Sequence, residues 1–413
     1  MVGSGFFLAP SAMAPYGVLA IVAWVVMGGG AICLALTFAR LARIAPATGG
    51  PYAYTRLAFG NLAGFLVAWG YWISLWASLP AIALTFAGSL VTVLPAFQAS
   101  RTTSIVIALG AIWLVVLTNL RGVKQAGVFA EVTTYSKLLP FAAITVAGLA
   151  FVQPANLSAF NPSGQGLLAS SAALAPLTMF AFLGLESATV PAGDVVSPER
   201  TIPRSTMLGV SIATLLYVLG TTVVMGVVPR DQLVLSAAPF ADAARIMGGA
   251  WAAGAVGLAV MLSLLGTLNG LTLLMGQVPM AAAGDTLFPS FFGKVSSRGV
   301  PALGTVVSAA LATILTLTQF TGAERLASFY SLVINLATLT TVVPYAFCAL
   351  AVGVISTQPA RDKRWRGLTA VEWIAFAFSI FTIYGCGAEA VLYGFVLLML
   401  GIPVYVWQRR QRL

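Results

Sequence analysis

Histidine is absent from this chain of 413 residues, only 8% of it is charged, and its acidic residues number 11. Without histidine, imidazole catalysis and His/Cys metal centres are excluded. The three cysteines, Cys33, Cys348 and Cys386, lie in apolar runs at no disulfide-framework or metal-ligand spacing. There is no Walker-type phosphate loop, which argues against ATP-driven pumping. A signal peptide with a cleavage site is missing as well, and so is the alternating, turn-rich pattern of an outer-membrane barrel. No catalytic constellation, cofactor motif or metal site is left, so the chain reads as a non-enzyme.

What is present is apolar surface. Hydrophobic residues make up 59% of the sequence, and the mean hydropathy is +0.96. A soluble domain cannot hide that much, because cores stop growing well before this size. Apolar runs of about 20 residues recur, each long enough to cross a hydrocarbon core of roughly 30 Å as a helix. The fold class expected is therefore an all-α polytopic membrane protein.

Residues 1–10 form a first span too short to cross. It opens on Gly3, Ser4 and Gly5, closes at Pro10, and reads as the second half of a broken helix. Further spans are expected at about 17–38, 62–93, 103–120, 127–152, 178–194, 205–228, 252–282, 303–320, 326–352, 371–387 and 390–407. Residues 230–248 alternate like a surface helix.

The net charge of +10 sits in short loops rather than on one face, so it reports topology and not nucleic-acid binding. With alternating loops, sixteen basic residues fall on one side, including Arg40, Arg56, Arg121, Arg200, Lys294 and Arg409. Four fall on the other: Arg101, Arg230, Arg245 and Arg325. The richer side, which holds the C-terminus, is expected to be cytoplasmic.

One acidic residue, Glu186, interrupts an apolar run between Gly184 and Ser187, ahead of Pro191. An acidic side chain at mid-membrane costs roughly 2.5 to 3.5 kcal/mol on the insertion scale, so a sequence that keeps one uses or pairs it. Glycine and proline nearby free backbone groups that a substrate cavity can satisfy. The bland reading makes Glu186 a structural carboxylate bonded to neighbouring backbone. The interval Gly3 to Pro10 matches Gly184 to Pro191, five spans apart, which is the pattern of an inverted repeat. Half-helices starting near Gly5 and just past Gly184 would aim amides at a carboxylate while Glu186 meets an amine. Lys137, with Glu131 in the same span, either exchanges protons or stands in for a sodium ion, or else pairs with Glu131 or snorkels. Tyr71, Trp72, Trp76 and Phe180 are candidate gates, or simple packing.

The segments FAFLGLESA and GSGFFLAP, with GGPYAY at 49–54, SPERTIP at 197–203, APFADAAR at 238–245 and DTLFP at 285–289, resemble the amino acid/polyamine/organocation superfamily. Within it the resemblance is to bacterial arginine/agmatine and putrescine/ornithine antiporters. It implies a five-plus-five inverted repeat, residues 1–153 and 166–353, with two extra helices at 371–407, often assembled as a homodimer in the bacterial inner membrane. It also implies that Gly3, Ser4 and Gly5 bind a carboxylate, that Glu186 faces the substrate and that Tyr71 is a gate. Phe180 and Leu271 stand where arginine antiporters carry tryptophans, with Leu183 beside them. Lys137 looks like the lysine of general amino acid carriers. Family members begin half a helix earlier, so this chain is expected to start at an internal methionine. The function expected is alternating-access antiport of cationic amino acids or polyamines. A proton-coupled carrier of neutral amino acids is the alternative, and a non-transporting receptor or subunit the remote one.

Overall fold

A computed structural model describes residues 4–46, 48–94, 100–122, 140–157, 159–190, 192–321, 326–357 and 367–410. The described residues form helices and connecting turns. In order they are α1 (Ser4–Phe7), α2 (Ala9–Met13), α3 (Val18–Ile44), α4 (Pro51–Phe59), α5 (Asn61–Val93) and α6 (Arg101–Leu120). Then come α7 (Pro140–Phe151), α8 (Leu167–Phe182), α9 (Pro198–Val227), α10 (Arg230–Leu233) and α11 (Pro239–Gly284). The last five are α12 (Ala302–Thr321), α13 (Leu326–Ser356), α14 (Ala370–Gly385), α15 (Gly387–Met399) and α16 (Gly401–Arg410). Among the described residues, seven helices are long and apolar enough to cross a membrane, with shorter apolar ones beside them. The chain is thus an all-α polytopic membrane protein.

The longest spans pack together through small residues. In α3 the run Gly28, Gly29 and Gly30 faces two ways: a side chain on Gly28 would meet the Thr214 methyl of α9 at 2.6 Å, and one on Gly30 the Phe378 ring of α14 at 2.6 Å. Helices without a hydrophobic drive to associate need this close backbone approach. The start of α3 is closed by a loop: Val18 N–H donates to Ala159 O at 3.0 Å and Leu19 N–H to Phe160 O at 2.8 Å. Helix donors that lack intrahelical partners are thereby satisfied without side-chain caps.

Several expected spans change shape for local reasons. Gly249, with φ of 76°, breaks α11, so its first ten residues are the surface helix and the rest the span. Pro10 does not close the first half-helix. It lies in the first turn of α2, where its missing N–H is no loss, and the helix runs on to Met13. The final span is two helices, parted at Leu400. Trp69 Nε1–H donates at 2.9 Å to Leu397 O, the carbonyl that Gly401 N–H would have taken, and Pro403 can offer no bond to Met399. The expected span at 127–152 is described from Pro140 onward, so Lys137 and Glu131 lie outside the described residues.

Candidate functional site

The helix that approaches Glu186 stops short of it. α8 ends at Phe182, a turn covers 183–186 with Gly184 at φ of 94°, and a single 3-10 turn, Ser187–Thr189, comes next. A φ of that sign is strained for any residue with a Cβ. The break matches expectation, but the second half does not. Where a half-helix was expected past Gly184, the N–H groups of Ser187, Thr189 and Val190 close back onto Gly184 O, Glu186 O and Ser187 O. A second half-helix, with a row of N-terminal amides, does not form there.

Glu186 itself is 1% exposed. Its two carboxylate oxygens are held by different spans: Tyr71 of α5 donates its hydroxyl to Oε1 at 2.5 Å, and Tyr345 of α13 donates to Oε2. Ser187 stands beside the Tyr71 hydroxyl, and the Phe38 ring of α3 lies edge-on to Tyr345 at 5.2 Å. Buried carboxylates need hydrogen-bond partners, and bonds to a charged acceptor contribute about 1.5 to 3 kcal/mol each. The residue's own backbone N–H also lies beside the carboxylate, so the bland reading, a carboxylate tied to adjacent backbone, describes part of its surroundings, and the two tyrosines are the rest. Four elements meet at this group, and the hydroxyls that hold it are of the kind an ammonium group can displace.

The other residues singled out from sequence divide. A side chain on Gly5 would come within 2.9 Å of Ala181 Cα and N and of a Phe180 ring carbon, so the first half-helix is pressed against α8 just before the break. Phe180 and Leu183 cluster with Ile334 and Ala337 as an apolar wall, six and three residues before Glu186. Leu271 is half-buried on α11 and packs against the main core. Trp72 is packing: its indole N–H donates to Ser308 at 2.7 Å, and its ring meets Phe288 and Phe292. The Trp76 indole N–H is buried without a partner. Gly3 lies outside the described residues.

Sequence reasoning missed Tyr345, because a tyrosine after Pro344 in an apolar span carries no periodicity signal. It also missed the floor beneath Glu186. Thr189 donates its hydroxyl to Glu186 O at 2.6 Å. Below it the Tyr54 hydroxyl of α4 is buried, with Thr189 and Cys348 as polar neighbours and no aligned bond to either. An unsatisfied buried hydroxyl costs about 1 to 3 kcal/mol. The signal lay in GGPYAY. Gly49, at φ of 112°, leaves room for the Tyr52 ring, and Gly50, at φ of 61°, for Thr189. On the opposite flank, a recess of about 330 Å³, open solvent included, runs along Phe7, Leu8, Thr85, Ser89 and Phe240. Thr85 lies fourteen residues along α5 from Tyr71, or roughly 21 Å at the rise of an α-helix.

A family model described as amino acid permease matches residues 1–403. The putrescine transporter PotE of Haemophilus influenzae is 29% identical over 412 residues, covering 98% of this chain and 93% of that protein. The Escherichia coli putrescine transporter PotE is 27% identical over 410 residues, 98% and 92% of the two chains. The cadaverine/lysine antiporter of Escherichia coli is 32% identical over 359 residues, 84% of this chain and 79% of that one.

Proposed function

This chain belongs to the amino acid permease family, and on that footing we propose that it exchanges cationic amino acids and diamines across the bacterial inner membrane by alternating access. The observation that carries the reading is Glu186, buried at a helix break with each carboxylate oxygen bonded to a tyrosine hydroxyl that an ammonium can displace. A substrate ammonium takes the place of one or both tyrosines, and the hydroxyls released are free to move with α5 and α13. Relatives named for putrescine and for cadaverine and lysine support a substrate with an amine at the reading end.

The wall of Phe180 and Leu183 suits a methylene run better than a flat guanidinium, since phenylalanine stacks less strongly on a cation than tryptophan does. The backbone at Ser4 and Gly5, beside Ala181, is the proposed seat of a substrate carboxylate where there is one, with Gly3 and Leu271 completing the site. Residues 1–153 and 166–353 are the proposed inverted repeats, each opening on an interrupted helix, with 371–407 appended. The arginine-rich side, with the C-terminus, is assigned to the cytoplasm. Exposed apolar side chains on α14 and α15, among them Ile374, Ile380, Leu392 and Phe395, offer a face for a homodimer.

Counterflow in proteoliposomes tests the substrate class. Vesicles preloaded with putrescine should accumulate labelled putrescine, ornithine or lysine, and labelled alanine several-fold less. Accumulation of alanine at the same rate as the amines would overturn the reading.

A further inference from the structure

The helix α4 connects two spans yet is more deeply buried than a connector needs to be. Tyr52, Tyr54 and Thr55 are 1%, 0% and 0% exposed. The segment is tied at both ends to parts of the molecule far away in sequence. At its start, Gly49 N–H donates to Val190 O at 2.9 Å, and Thr48 Oγ1 accepts Gly193 N–H at 3.1 Å. Both partners belong to the stretch just after the Glu186 break. At its far end, Arg56 Nη1 pairs with Asp285 Oδ1 at 2.7 Å, while the Tyr52 hydroxyl donates to Asp285 Oδ2 at 3.1 Å. Asp285 is the residue that ends α11.

Both oxygens of Asp285 are thus used by α4, and α4 links Arg56, one of the basic loop residues, to the Glu186 turn, which Tyr54 reaches through Thr189. Burial, and then the Asp285 carboxylate, push the Tyr52 phenol above its ordinary range, so it stays a donor. Arg56 is further held by its Nε–H to Asn61 Oδ1 at 3.0 Å, across the junction at Gly60, whose φ is 86°.

We propose that Asp285, with Arg56 and Tyr52, is a latch that keeps α4 shut beneath the site and sets how often the arginine-rich side opens. Asp285 acts through α4 and is a positioning residue, not a substrate contact. Two features make the latch reversible. The Arg56 and Asp285 side chains are 32% and 38% exposed, so water and salt weaken their pairing. The Tyr54 hydroxyl, buried against Thr189 and Cys348 while α4 is shut, gains water when it lifts. A strong latch would hold one state; a weak one allows both.

The structure also supplies the reporter. Cys348 of α13 is fully buried, with its Sγ 3.5 Å from Pro51 O at the start of α4, so lifting α4 uncovers it to a reagent. The direction of opening rests on the proposed function, but the latch is tested by accessibility, not transport. Full-length protein in liposomes is exposed to N-ethylmaleimide, and labelling of each cysteine is tracked by peptide mass spectrometry, with Cys33 and Cys386 as internal controls. Asp285→Asn should label Cys348 about 3- to 10-fold faster, the size expected for losing a part-exposed ion pair and a hydrogen bond. Tyr52→Phe, which deletes one hydroxyl and decides the matter should Asp285→Asn not insert, should give a smaller rise. The exchanged pair Arg56→Asp with Asp285→Arg should return the rate most of the way. Wild-type labelling of Cys348 in both single variants, equal acceleration at all three cysteines, or no recovery in the exchanged pair would overturn the latch.

Discussion

A buried carboxyl group bonded to two phenols has hydrogen-bond partners but no ion-pair partner among the described residues, and that difference decides how Glu186 responds to substitution. Glu186→Gln keeps an acceptor for one tyrosine and a donor for the other, so the protein should insert and fold. Tyr345→Phe removes one of two bonds to a charged group and should lower stability by about 1.5 to 3 kcal/mol, read as a drop in the thermal midpoint in detergent. An unchanged midpoint would mean that Tyr345 contributes nothing to holding the group. Glu186 was legible in the sequence because a charge in an apolar run announces itself, and Tyr71 was one of several candidate aromatics that the resemblance then singled out. Tyr345, Tyr54 and Thr189 were not legible. Each is a common helix residue whose role depends on which span lies opposite, and spacing along one helix says nothing of that.

Elements show the same division. The break at Gly184 could be anticipated from glycine and a nearby proline, yet two short 3-10 turns, Ser187–Thr189 and Ala192–Asp194, stand where a half-helix was expected, the first because the Thr189 hydroxyl and backbone close on Glu186 O. Gly184→Ala should cost about 1 to 2 kcal/mol, since an L-residue there meets a left-handed φ of 94°. Gly30→Leu in α3 should cost about 1 to 3 kcal/mol by pushing into Phe378, whereas Gly29→Leu, which meets open space, should be close to neutral. Comparing their midpoints checks the packing of α3 against α14. The separation of α15 from α16 was hidden, because it needs Trp69, more than 300 residues away, to take a carbonyl of the last span.

Among the described residues of the whole molecule, one ion pair that joins distant parts of the chain is nearly dry. Arg40 of α3 pairs with Glu372 of α14 at 2.8 Å and donates to Gly367 O at 2.9 Å, with the Arg40 and Glu372 side chains 9% and 2% exposed. Thr369 closes a capping box with the same glutamate. Removing one partner of such a pair strands a charge, so Arg40→Leu alone should cost about 3 to 5 kcal/mol, while Arg40→Leu with Glu372→Leu should recover most of it. Thermal unfolding of the two variants separates these outcomes. The recurrence of apolar spans could be read from hydropathy. The closure beneath the site could not, because it depends on a short helix whose sequence looks like an ordinary connector.

The central claim is that the Glu186 carboxylate reads the positive end of the substrate. The most direct measurement is putrescine counterflow in proteoliposomes holding equal amounts of inserted wild-type and Glu186→Gln protein. Loss of the charge should lower exchange more than about tenfold while the variant remains folded. Exchange at the wild-type rate would show that the amine is bound elsewhere.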